Sequence, residues 1–307
     1  MSVPPPTARP ASRVEPPVRP TCAVDPSATT TVEPLPARPS GPRAQALRDR
    51  LSERDMAVLQ SLATLRLLTG EQLQRLHVAE GSVATQSRRA RALLQRLADL
   101  RLVVRLGRRV GGVRAGSAGY VYGLSGHGQA ALAASGPTGG RRRRVWETSP
   151  SFQDHLLGVA EVYVRLVEAQ RAGKLELLEF QAEPAAWRIF PGPGGPAAVL
   201  KPDAFVRLGV GELEHSAFLE IDRGTESVPT ITRKCRVYAS YWQSGIEQAE
   251  HGVFPRVLWL ASDDRSAQRI SKALTQIGHD AQHLFHVAFL ESAVPVLTAT
   301  ARGGRMA

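Results

Sequence analysis

Residues 45–144 carry 18 arginines, no lysine and six acids, a local charge of +12 that no other part of the 307-residue chain approaches. So many guanidinium groups cannot enter a core unpaired. The apolar residues between them must collect on one side of short elements and the arginines on the other. The whole chain has a formal charge of +11, so the remainder is nearly neutral. Residues 145–307 hold 16 basic and 19 acidic side chains, and the first 44 hold five arginines and three acids. A basic field confined to one domain-sized segment is the electrostatic footprint of a polyanion partner.

Periodicity tells how those arginines are displayed. Ser52 with Asp55, and Thr69 with Gln72, have the spacing of helix-capping pairs. Met56, Leu59, Leu62 and Ala63 follow the first at helical spacing, and Leu73 and Leu76 follow the second. Glu80-Gly81-Ser82 breaks the chain before a third helix, expected over 84–100, with the apolar stripe Ala90, Leu93, Leu94, Leu97 and Leu100. Arg88, Arg89, Arg91 and Arg96 occupy its other face. A short strand (102–106), a glycine-rich loop with Arg108, Arg109 and Arg114, and a return strand (119–124) complete three helices plus a β-wing, the winged-helix order. Such a third helix fits the DNA major groove, where its N-terminal side chains reach base edges. A guanidinium pairs two-pronged with guanine or phosphate. The expected DNA-binding residues are Arg88, Arg89, Arg91 and Arg96 on the helix and Arg108, Arg109 and Arg114 on the wing. An ordinary solvated face is the alternative, and six acids against 18 arginines is lopsided for one.

The flanks differ. Residues 1–44 hold 12 of the 22 prolines, a composition that cannot offset the entropy of ordering and predicts a disordered tail. Four arginines at 141–144 follow a Gly/Ser/Pro stretch and read as a basic linker over 136–148. Two cysteines, Cys22 and Cys235, fit no disulfide framework. No apolar run reaches the roughly 20 residues of a membrane helix. A soluble, cytoplasmic protein without a signal peptide is expected.

From residue 149 the pattern changes to a helix (152–170), strands (175–181, 187–190, 199–208 and 217–222), then helix (228–242), strand (256–261), helix (266–278) and strand (284–290). This predicts an α/β mixed-sheet domain over 149–295, with a flexible tail over 296–307. Strand alternation puts Glu220 and Asp222 on one face, and Asp203 opens the neighbouring strand. Carboxylates converging at a sheet edge suit a hard cation such as Mg²⁺. Asp203 and Glu220 are the candidate metal ligands, and Asp203, Glu220, Asp222 and Lys234 the candidate catalytic residues. As plainer readings, the carboxylates form an arginine-paired structural network, and Asp154, Glu161 and Glu168, seven residues apart, mark a solvated helix face. His279, His283 and His286 lack a fourth ligand for zinc, and Gly192–Gly195 lacks the Lys and Ser/Thr of a phosphate loop.

Pro202-Asp203 followed by Glu220-x-Asp222 resembles the PD-(D/E)xK nuclease signature, with Asp222 standing where that family has lysine and Lys234 on the next helix as a replacement. Over roughly residues 50–290 the chain resembles the replication-relaxation family of plasmids and mobile elements, most specifically in Glu220-Ile221-Asp222-Arg223-Gly224-Thr225-Glu226. The resemblance implies a DNA-binding accessory or regulatory role in replication, relaxation or mobilisation. Its partners would be double-stranded DNA and replication or mobilisation proteins, with a homodimer as one arrangement. The alternatives are a Mg²⁺-dependent endonuclease or nickase at Asp203 and Glu220, and a scaffold whose arginines hold an acidic protein.

Overall fold

The structure, a computed structural model, describes residues 41–106, 119–134, 149–192 and 194–303. The loop arginines Arg108, Arg109 and Arg114, the cluster at 141–144, the tail up to residue 40 and residues 304–307 lie outside the described residues. No described helix is long and apolar enough to cross a membrane.

The arginine-rich segment folds from its caps inward. α1 (Gly41–Arg48) leads to α2 (Glu53–Leu65), where the Ser52 hydroxyl accepts from Asp55 N–H and Asp55 reaches back to the Ser52 N–H. Thr69 and Gln72 make the same reciprocal pair at α3 (Gly70–His77). Between them Leu67–Thr69 form a strand, β1, where the sequence reads as a break. Three residues are too few for alternation to show. Yet Leu67 and Leu68 are buried, so their backbone groups need partners. The return strand supplies them. β1 pairs with β3 (Val121–Leu124), which also pairs with β2 (Val103–Leu106), both antiparallel. α4 (Val83–Asp99) buries Ala90, Leu94 and Leu97 and turns Arg88, Arg89 and Arg91 outward. α5 (Gly126–Ala133), capped by Ser125, closes the module against the Leu102 carbonyl.

α6 (Pro150–Arg171) then runs between this module and a mixed sheet of order β10-β9-β8-β7-β4 among the described residues. β4 (Glu176–Ala182), β7 (Ala204–Val210) and β8 (Leu213–Asp222) pair antiparallel, while β9 (Arg256–Ala261) and β10 (Phe285–Phe289) run parallel to β8. Alternation divides the side chains: Ala204, Val206, Leu219, Ile221, Leu258 and Leu260 share a core with α6. Phe205, Phe218, Val257 and Trp259 face α7 (Val228–Gln243) and α9 (Asp264–Leu274). α8 (Ile246–His251) follows α7.

Other elements also differ from the sequence reading. The single strand expected over 199–208 is two, β6 (Ala197–Leu200) and β7, in different sheets; β6 pairs with β5 (Arg188–Pro191). Pro202 lies between them and lacks the N–H a continuous ladder needs. The segment expected as a tail from 296 belongs to α10 (Ala293–Gly303), whose Ala293 and Leu297 are buried in the α6 core. Pro295 falls in the first turn of this helix, where a missing N–H costs nothing.

The composition change at residue 149 is not a gap in packing. One apolar cluster runs from Val58, Leu62 and Leu97 through Val159 and Leu166 to Leu219 and Ile221, and the described residues belong to one compact unit. At Gly128 a Cβ would lie 2.3 Å from the Leu102 carbonyl oxygen and 2.6 Å from Leu124 Cδ1, whereas Gly126 has nothing within 4 Å. Gly128→Ala will therefore destabilise the fold by about 1–3 kcal/mol in urea unfolding, with Gly126→Ala near neutral. Equal stabilities for the two variants would contradict this packing.

Candidate functional site

Packing sorts the arginines of the basic segment into two groups. Arg66 donates to Glu183 at 2.8 Å and lies over the Phe152 ring, 5.0 Å from its centroid. Arg75 forks onto Glu161 (3.0 Å) and Glu168 (2.6 Å) of α6, and Arg96 pairs with buried Asp55. These acids lie on α6, on the loop after β4 and on α2. The seven-residue stripe of Glu161 and Glu168 is thus an ion-pair contact with α3, not a solvated face. The second group is Arg88, Arg89 and Arg91: all are exposed, and among the described residues none has a carboxylate within salt-bridge distance. Arg91 only donates to the Ser87 carbonyl of its own helix, at 3.2 Å. Arg96 keeps an exposed edge besides its bond to Asp55.

A second charged cluster sits where β7, β8, α6 and α7 meet. β7 starts at Ala204, so the Ile221 N–H on β8 has no strand partner beyond it, and Asp203 Oδ2 accepts that bond at 2.7 Å. Asp203 Oδ1 faces His155 Nε2 at 3.2 Å, and His155 Nδ1 is 3.2 Å from the Ile221 carbonyl. A carbonyl and a carboxylate only accept, so both nitrogens are satisfied when the ring is an imidazolium. Glu220, on the α7 face of β8, accepts from Lys234 Nζ (2.9 Å) and Tyr238 O–H (2.7 Å). Lys234 also reaches Glu226 at 2.6 Å, whose other oxygen is buried without a partner among the described residues.

The structure therefore brings Asp203, Glu220 and Lys234 together and sets Asp222 apart. Asp222 Oδ1 accepts the N–H groups of Gly224 (2.9 Å) and Thr225 (3.2 Å) in the turn into α7. Its Oδ2 accepts from Ser266 (2.5 Å) and Arg269 (3.3 Å) of α9. Alternation had put Asp222 beside Glu220, but its neighbours are the β8–α7 turn and α9. His155 was missed by the sequence reading. Only its place between the apolar positions of α6 distinguishes it, and its partners lie 48 and 66 residues away. Tyr238 is a core residue whose hydroxyl donates to Glu220.

All four oxygens of Asp203 and Glu220 accept from protein donors. A hard divalent cation takes six or more oxygen ligands, and here the Lys234 ammonium already supplies the positive charge. As arranged, the pair does not fit Mg²⁺. Among the described residues no trio of His, Cys, Asp or Glu is placed to hold a metal.

The family model described as replication-relaxation matches residues 59–257. Among curated proteins none matches the chain significantly. Among solved structures, that of the restriction endonuclease FokI is similar at 12% identity with a TM-score of 0.24, over 82% of this chain and 44% of that one. The chain spans less than half of that protein's length.

Burial first, and the Asp203 charge second, push the Glu220 carboxyl up to about 8 against the pull of Lys234. Burial works to lower His155, but its hydrogen bond and charge contact with Asp203 hold it above the ordinary value of 6.5. Asp203, opposed by burial, is held below 3.8 by His155 and Lys234. The His155 contribution is complete below 6.5 and is lost as pH rises through its raised value. Asp203 acts at the other end: its contribution is present above 3.8 and is lost as pH falls through its lowered value. Tm will therefore fall as pH rises above about 6.5 through the raised His155 value, and His155→Gln will flatten that fall. A wild-type Tm independent of pH across this range would refute the assignment.

Proposed function

Because the chain belongs to the replication-relaxation family, we propose that it binds double-stranded DNA as an accessory or regulatory factor in the replication, relaxation or mobilisation of a plasmid or mobile element. The observation that carries the proposal is the division among its arginines. Arg66, Arg75 and Arg96 are engaged by acids of the fold, while Arg88, Arg89 and Arg91 stand exposed along one helix without a carboxylate among the described residues. Folding leaves that charge unneutralised where a helix presents it, which is what a phosphate backbone or a guanine edge requires. In this reading residues 45–135 act as a winged helix with α4 in the major groove and Arg108, Arg109 and Arg114 on the wing. Replication or mobilisation proteins, or a second copy of the chain, would dock elsewhere. The sheet domain orients the module through α6.

A second reading, a Mg²⁺-dependent endonuclease or nickase, is supported by the convergence of Asp203, Glu220 and Lys234. Their mutual saturation favours the first, because a cation would have to displace both Lys234 and His155.

Two measurements separate the readings. Affinity for duplex DNA in fluorescence anisotropy will fall roughly a thousandfold between 50 and 200 mM salt if about six phosphates are contacted. Arg88→Ala with Arg89→Ala will weaken binding by roughly tenfold or more, and Glu220→Gln will leave it unchanged. Supercoiled plasmid incubated with Mg²⁺ or Mn²⁺ will stay supercoiled. Metal-dependent nicking that disappears in Glu220→Ala would establish the nuclease instead, and a wild-type protein that retains no DNA at low salt would sink the DNA-binding reading.

A further inference from the structure

Beside the exposed face of α4 lies a groove of about 540 Å³, bounded by the first turn of α2 and the outer stripe of α4. Its apolar floor is Val78, Ala92 and Leu93, and three guanidinium groups, Arg54, Arg89 and Arg96, stand around it. Glu53 is the single carboxylate among the lining residues. Arg89 and Arg96 are seven residues apart, about 10 Å along one stripe of the helix. Arg96 is held by Asp55 and still has 48% of its side chain exposed. A guanidinium carries five donors, so Arg96 is pre-oriented with donors to spare. Arg54 and Arg89 are exposed and have no ion pair among the described residues.

We propose that this groove seats a stretch of the sugar–phosphate backbone of double-stranded DNA, with Arg54 of α2 as a phosphate contact outside the arginine set of α4. The inference rests on the DNA-binding reading and extends it, adding a second element to the interface and giving the backbone a path. Two features match the ligand. A nucleic-acid backbone alternates anionic phosphates with apolar deoxyribose faces, and the groove sets guanidinium groups around an apolar floor. The groove is also continuous with the proposed reading face through Arg89, which belongs to both, so a duplex lying on Arg88 and Arg91 carries its backbone past Arg54. The local field is positive enough to be felt inside the protein. His77 is pushed down to about 4, by burial first and then by Arg171 and Arg54. An acidic protein segment would meet the same charges, but it would leave Arg88 and Arg91, on the adjoining face, without an anion.

The test is the salt dependence of duplex binding by the full chain and Arg54→Gln, measured by anisotropy with two unrelated sequences. Losing one phosphate contact should flatten the slope of log K against log salt by about 0.9, and weaken binding by about three- to tenfold to the same degree on both sequences. Arg54 is exposed, so thermal unfolding of the variant should match wild type and serves as the folding control. A slope unchanged in Arg54→Gln while wild type binds DNA overturns the groove and leaves the DNA-binding reading standing. Failure of wild type to bind overturns both. Arg54-dependent binding of a polyglutamate peptide, with no such dependence for duplex, assigns the groove to an acidic protein and also overturns the proposal.

Discussion

Helix α6 has to be buried on two sides, and the arrangement of the rest of the chain follows from that. Its 22 residues include Leu156, Leu157, Val159, Ala160, Val162, Val164, Leu166 and Ala169 as buried positions. Leu156 and Leu157 pack with Leu67 and Val121 of the small three-stranded sheet, and Val159, Val162 and Leu166 join the core that reaches β7, β8 and β9. A fully buried aliphatic side chain contributes about 1.5–3 kcal/mol relative to exposure, whereas a partly exposed ion pair contributes up to about 1 kcal/mol. The apolar contacts of α6 therefore hold the two halves together. The fork of Arg75 onto Glu161 and Glu168, and the bonds of Arg171 to the carbonyls at the end of α3, add polar ties between α3 and α6.

That geometry gives the arginines their meaning. An arginine close to α6 or β4 finds an acid and becomes part of the scaffold, as Arg66 and Arg75 do. An arginine on the far side of α4 meets no acid among the described residues, as with Arg88 and Arg89. The same tertiary contact thus removes some cations from the surface and leaves the others as a patch.

The carboxylate cluster under α7 is the opposite case, charge drawn inward. Burying ions is costly, and removing one partner of such a pair typically costs about 3–5 kcal/mol because the other is left uncompensated. Here Lys234 answers Glu220 and Glu226, while His155 answers Asp203, so α6 and α7 are each tied by a charged side chain to the end of the β7–β8 hairpin. The convergence that reads in sequence as metal chemistry is met in the fold by protein cations.

Much of the local structure was legible from neighbours. Both capping boxes and the apolar stripe of α4 depend on residues within about four positions of one another, and form where the pattern places them. The convergence of Asp203 and Glu220 was half legible, because neighbouring strands set which residues end side by side. β1, α10 and the break at Pro202 were harder, since a three-residue strand, a proline in a first turn and a change of sheet leave no periodic signal. The roles of His155, Asp222 and the acids of α6 were not legible at all. Their partners lie up to 93 residues away for Glu168 and 66 for His155, and which of them meet depends on the surfaces α6 brings together. By itself the sequence determined where helices begin, which faces are apolar and where the positive charge is concentrated, because those are short-range properties of the chain. Only the tertiary structure decided which charges are neutralised and which stay free, because an ion pair exists only after packing has set two distant side chains within reach.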